Sequence, residues 1–249
     1  PTGAGNTISG CLNYATVTST YQHIGGISGG YSLMYATFID CINYGNVSGT
    51  YSSGIVGFAA KLIDGCINYG DISGSYCSGI GYQIDTITNC KNFGVIAEGT
   101  GNGAGISYMG GDEISNCENY GEANIGIVYN LSNASNSIIE NCRNYAKVKA
   151  AGIVGSILSS SSSTRYSYQI LNCANFGDVV QSSATSYAGG IVGYISNTGG
   201  KRIVIDSCFN AGNIEGGGYS GGIVGQMLGS GSNVVQISNC GSEGNVSGE

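Results

Sequence analysis

Apolar residues along this chain fall into two short blocks that recur, not into long runs. The first block reads Ile-x-x-Cys-x-Asn-aromatic-Gly-x-Val, and nine copies carry it with few departures. Its cysteines are Cys11, Cys41, Cys66, Cys90, Cys117, Cys142, Cys173, Cys208 and Cys240, at successive intervals of 30, 25, 24, 27, 25, 31, 35 and 32 residues. The second block is Gly-Ile-Val-Gly or a variant, as at Gly54-Ile55-Val56-Gly57 and Gly190-Ile191-Val192-Gly193, and it occurs eight times between copies of the first. Self-similarity at such a period marks a repeat architecture.

Comparing the copies shows which positions tolerate change. Three residues before Cys stands Ile, or Phe38 in one copy; six after it stands Val17, Val47, Ile72, Ile96, Ala123, Val148, Val179, Ile214 or Val246. In the second block Ile is fixed at 27, 55, 80, 106, 127, 153, 191 and 223, whereas the next position accepts Ser28, Gly81 and Ser107 as well as Val. Successive side chains of a strand point to opposite faces. The fixed Ile is therefore expected inward and its variable neighbour outward or half covered.

Spacing separates the corners. From Cys to the Val position is always six residues, so that corner admits no insertion. From the Val position to the fixed Ile ranges from 4 to 12 residues, and from the fixed Ile to the next Ile-x-x-Cys from 7 to 17, so two corners can grow loops. The pattern predicts an all-β chain: a right-handed parallel β-helix of about nine coils, three short strands per coil, as a single repeat domain over 1–249. A leucine-rich repeat shares the period but wants Leu where this chain uses Ile and Val. Frequent Gly, Asn and Ser argue against long helices. The Ser run at 159–163 reads as a long corner loop, because the repeat resumes at Ile170 and Cys173.

Stacked coils about 4.8 Å apart would place like over like. Columns of Ile, Cys and Val should fill the interior. Asn follows two after Cys in eight copies, with Ser242 in the ninth, and stacked amides can bond along the axis. An Asn-lined binding strip is the functional alternative. The next position holds Tyr14, Tyr44, Tyr69, Phe93, Tyr120, Tyr145 and Phe176. These rings are either a structural stack or a platform for sugar faces.

Composition narrows the chemistry. Gly supplies 45 of 249 residues and only 9% are charged. A net charge of −7, with eight Lys+Arg, leaves no basic footprint for nucleic acid. No apolar stretch is long enough to insert in a membrane as a helix. Ten cysteines contain no close metal-binding pairs, so they read as reduced and buried, with Cys77, off the column, as an exposed thiol. His23 is the only histidine and is expected at the surface or lightly packed near a corner. Carboxylates are scattered and nominate no catalytic pair, although neighbouring coils could assemble one. No cofactor or metal is expected. Variable-corner tyrosines are the candidate ligand contacts: Tyr31, Tyr35, Tyr166, Tyr168, Tyr187 and Tyr219.

The blocks Gly189-Gly190-Ile191-Val192-Gly193 and Ile205-Asp206-Ser207-Cys208-Phe209-Asn210-Ala211-Gly212-Asn213-Ile214 resemble the GLUG motif. That repeat occurs in bacterial surface proteins, among them adhesin-like proteins and the non-catalytic regions of M26-type immunoglobulin A peptidases. The resemblance implies an extracellular or wall-attached β-helix without catalytic residues, excised from a longer chain, that binds a host or microbial glycan or a surface protein. A polysaccharide lyase or hydrolase on a β-helix, and a spacer in a larger secreted peptidase, are the alternatives.

Overall fold

A computed structural model describes residues 5–30, 33–98, 103–132, 136–159, 167–183, 186–199, 201–229 and 234–248. Its paired strands are all parallel and stack coil upon coil into four sheets. The chain is a parallel β-helix with four faces per coil, not the three that spacing predicted.

The extra corner has a local cause. The residue before each column cysteine has positive φ, between 50° and 63°, in all nine coils; these are Gly10, Asp40, Gly65, Asn89, Asn116, Asn141, Asn172, Ser207 and Asn239. Gly, Asn and Asp are the residues that tolerate this left-handed conformation best. The turn it makes lets Ile and Cys, three residues apart, both face inward. The first face holds nine strands, from Thr7–Ser9 to Val235–Ser238. Its column Ile8–Phe38–Ile63–Ile87–Ile114–Ile139–Ile170–Ile205–Ile237 is in unbroken register.

The second face consists of two-residue strands such as Leu12–Asn13 and Lys91–Asn92, stacked nine deep. Here the asparagines form one continuous ladder. Each Nδ2 donates to Oδ1 of the next coil at 2.7–2.9 Å, from Asn13 through Asn43, Asn68, Asn92, Asn119, Asn144 and Asn175 to Asn210. Asn210 ends the run on Ser242 Oγ at 3.1 Å. The second proton of each amide goes to a carbonyl two residues on, as from Asn119 to Gly121 at 2.9 Å. Both donors are thus satisfied in groups that are fully buried from Asn43 to Asn210.

The ladder also explains the Gly before the fixed Ile. A Cβ on Gly105 would lie 2.2 Å from Asn119 Cγ and 2.2 Å from the Gly126 carbonyl oxygen. The equivalent Gly of the other coils meets its own ladder Asn, or Ser242 in the last, in the same way. The two sequence blocks therefore touch across the coil, and only a residue without a side chain fits between them.

At the next corner the expected alternation fails. The fixed Ile and its neighbour are both buried: Ile55 with Val56, Ile127 with Val128, Ile153 with Val154, Ile191 with Val192. The backbone bends at Gly-Ile, so the strand period does not apply across it. Those Val residues begin the fourth face, where Val56, Gly81, Ser107, Val128, Val154, Val192 and Val224 align.

The interior is divided. Ile and Cys columns, the fixed Ile and the fourth-face Val form the main core. The Val-position column lies in separate clusters on the third face, where Val47, Ile72 and Ile96 pack with Ile24 and Cys77 from the loops that arch over them. Each buried aliphatic side chain contributes roughly 1.5–3 kcal/mol before conformational entropy is set against it.

Candidate binding surfaces

The exposed aromatic column follows the Asn ladder. Successive ring centroids from Tyr14 through Tyr44, Tyr69, Phe93, Tyr120 and Tyr145 to Phe176 are 4.8–5.1 Å apart, and the planes agree within 11°. This is offset stacking along the axis. Each inner ring has a neighbour on both faces and shows solvent mainly its edge. A platform for sugar faces needs those faces open, so the geometry favours the structural stack. Glu118 fixes one section of the rim, accepting from Tyr120 Oη at 3.0 Å and pairing with Lys91 Nζ at 2.8 Å.

A second aromatic cluster was not foreseen. His23, Tyr51 and Tyr76 stack along the axis at 5.0 and 5.1 Å, all three with positive φ. Beside them Tyr82, Tyr108 and Tyr129 stack at 5.2 and 4.6 Å on the fourth face. The two stacks meet edge to face, as in Tyr51–Tyr82 at 71° and Tyr76–Tyr108 at 87°. Burial pushes the Tyr82 and Tyr129 hydroxyls up to about 12, with neighbouring tyrosines adding to the shift. His23 is therefore a packed residue, not a surface one. Burial lowers its pKa against an opposing hydrogen bond to the Gly57 backbone. The signal was present as Tyr two after the fixed Ile in three consecutive copies, Tyr82, Tyr108 and Tyr129.

The predicted contact tyrosines do not form one surface. Tyr31 and Tyr166 lie outside the described residues. Tyr35 is exposed on the first face, within Leu33–Ile39. Tyr187 and Tyr219 are register partners on the third face; Tyr187 is half-buried against Tyr194 at 5.1 Å, and Tyr219 is exposed. Tyr168 is corrected to a core residue. It lies two before Ile170 and so shares its inward parity, with no exposed area, and Lys201 Nζ donates to its hydroxyl at 2.8 Å.

Cys77 is likewise buried, with Sγ 3.2 Å from Ser52 Oγ. All ten cysteines are free thiols. Along the column the inner Sγ atoms other than that of Cys66 have two carbonyl acceptors in reach, as Cys117 does in Ile87 at 3.8 Å and Ser115 at 3.2 Å. Burial holds the Cys90, Cys117, Cys142 and Cys173 thiols far above the ordinary range, so they stay protonated.

Acidic groups meet at the corner leading back to the first face. Asp85 and Asp112 sit on consecutive coils, where Asp112 N donates to Asp85 O at 2.7 Å. Burial, then the Asp112 charge, raises the Asp85 carboxyl, and Lys61 opposes the shift. Among the described residues no group of three His, Cys, Asp or Glu could hold a metal ion. No helix there is long and apolar enough to cross a membrane.

One groove of about 450 Å³ opens on the third face. Its walls are Val95 and Ala97 on one side and Val180 and Ser182 on the other, with Ala123 and Val148 between and Glu122, Lys147 and Lys149 at the rim. The cause is loop length. From the Val position to the fixed Ile takes 10 residues in the coil of Ile96 and 12 in that of Val179, but 4 and 5 in the two coils between. Two short coils between two long ones leave a notch. Set against known protein families, curated proteins and solved structures, the chain matches none.

Proposed function

We propose that this chain is a non-catalytic structural or adhesive module of a cell surface, built on GLUG-like repeats, that presents its variable corners to a glycan or protein. One observation carries the reading. The repeated side chains lie in internal ladders or ring stacks, whereas variation in length is confined to the arches of the third face and the loops entering the first. A rod with a constant interior and variable edges suits presentation of a binding surface. The GLUG-like blocks support an extracellular or wall-attached setting for such a module.

Beads coated with the folded chain, exposed to arrays of glycans and of surface proteins, should be retained by members of at least one class. Retention by none overturns the adhesive reading. Release of new reducing ends or unsaturated products from polyuronate or xylan would overturn the non-catalytic one.

A further inference from the structure

The third-face notch has features that a mere gap between loops would lack. In the other coils the Val-position residue is Val or Ile; in the coil at the bottom of the notch it is Ala123. The smallest side chain of the column therefore stands where no arch covers it. Ala123 retains 7% exposure, while Val47 and Ile72 beneath their arches retain none.

The notch also has an open strand edge. Ile96–Glu98 pairs with Ile72–Gly74 of the coil before it. On its other side Ile96 N donates to Glu122 O at 2.8 Å, and no ladder among the described strands continues from there. Across the notch Ala123 and Ile125 pair with Val148 and Ala151, so Lys149 and Ala150 bulge opposite Asn124 alone. The two walls belong to coils three rungs apart, or ~14 Å at the usual strand spacing. The coils of Ala123 and Val148 fill the floor between them, so an added strand has its width above that floor, at the height of the arches.

The rim supplies charge. Lys147 and Lys149 are two of only eight basic residues in a chain of net charge −7, and Glu122 is the acidic residue lining the same groove. Both lysines are exposed. No aromatic ring lines the groove among the described residues, so the stacking that holds sugars is missing there.

We propose that the notch docks an extended polypeptide segment of a partner, which adds to the edge that Ile96–Glu98 leaves open beyond the bond from Ile96 N to Glu122 O, seats an apolar side chain over Ala123 and sets acidic side chains against Lys147 and Lys149. Main-chain pairing gives affinity in such strand addition, and alternate side chains give selectivity. An inward Val between outward Glu residues has the matching period. The proposal rests on the reading of the chain as a binding module and names the partner class for one of its surfaces.

The test uses a fluorescein-labelled, capped peptide of alternating Glu and Val, a counterpart with Lys in place of Glu, and an unlabelled xylan oligosaccharide as competitor. Anisotropy should show saturable binding of the Glu peptide, weakened at least tenfold by Ala123→Ile and by the double change Lys147→Glu and Lys149→Glu. Amide exchange should slow at 96–98 and 148–151 when the Glu peptide is bound. Circular dichroism of both variants should match the parent, since one change fills a groove and the other is exposed. Equal binding of the two peptides, undiminished binding by Ala123→Ile, or displacement by the oligosaccharide overturns the proposal. Bead retention by glycans or surface proteins without saturable binding of the Glu peptide removes the docking site but keeps the module. Retention on nothing removes both.

Discussion

The second and third faces are made by the same nine coils, yet they differ in every property that bears on function. The second face has no insertions, and its strands are two residues long with one Asn in each of eight coils. On the third face the path to the fixed Ile varies from 4 to 12 residues, and its arches carry Tyr51, Tyr76 and Tyr187 as well as the notch. The contrast follows from what each face must satisfy. A buried amide bonded above, below and to its own turn tolerates no change of register, because an orphaned partner costs about 1–3 kcal/mol. The arches need only cover the Val column, which many lengths can do.

The sharpest break of this comparison is in the middle of the ladder. Asn119→Leu removes the acceptor of Asn92 Nδ2, the donor to Asn144 Oδ1 and the donor to Gly121 O. We expect a loss of about 3 kcal/mol from the buried groups left without partners, read from urea unfolding and from faster amide exchange in the coils on both sides. Gly105→Ala should come next, at about 2–3 kcal/mol, because the added carbon collides with the ladder amide and a carbonyl, and neither can move freely. A matching insertion of two glycines after Asn124, on the arch side, should cost far less. If it costs as much as Gly105→Ala, the two faces do not differ in the way described.

Tyr120→Ala interrupts the exposed ring stack at two contacts of 4.8 Å and deletes the bond to Glu118. A loss of about 1 kcal/mol is expected, given the worth of aromatic pairs, with the fold intact by circular dichroism. The third-face cluster makes a pH prediction. Tyr82 and Tyr129 have folded pKa values of about 12 against 10 in the unfolded chain. Below pH 10 both states hold the phenolic protons, so this contribution to stability is fully present; it is lost as pH rises from about 10 to about 12. Absorbance titration should show these phenols ionising late, and urea midpoints should fall over that window. Tyr82→Phe should flatten the fall.

The smallest effect concerns the cysteine column. Cys11 is exposed, whereas the inner thiols are buried and protonated. A thiol reagent should modify Cys11 first in the native protein, half-buried Cys240 next, and reach the eight buried thiols only on unfolding. Rapid reaction of Cys117 would mean that the main core opens more easily than its packing suggests.

Much of the fold was legible because a repeat reports its own constraints. The fixed Ile, the Cys column and the Asn position could be read by comparing copies, and the structure places each in register. The fourth face was missed because its turn is made by a residue that varies among Gly, Asn, Asp and Ser, which share a backbone tolerance and not a side chain. The exposed-thiol reading of Cys77 failed because the arch folds its strand back over the Val column. Tyr168 was misplaced by its nearness to a long loop, although its parity with Ile170 held the answer. The notch was visible as two short intervals between long ones, but spacing alone gave no reason to regard it as a site.

By itself the sequence determined that like side chains stack on like, because a pattern repeated nine times leaves no other way to bury its Ile, Cys and Asn together. Only the tertiary structure decided how many sides each coil has, which ring faces are covered, and where the Val column goes uncovered. Those outcomes depend on backbone conformation at single residues and on how loops from different coils lie against one another, and neither is encoded in the identity of the repeated positions.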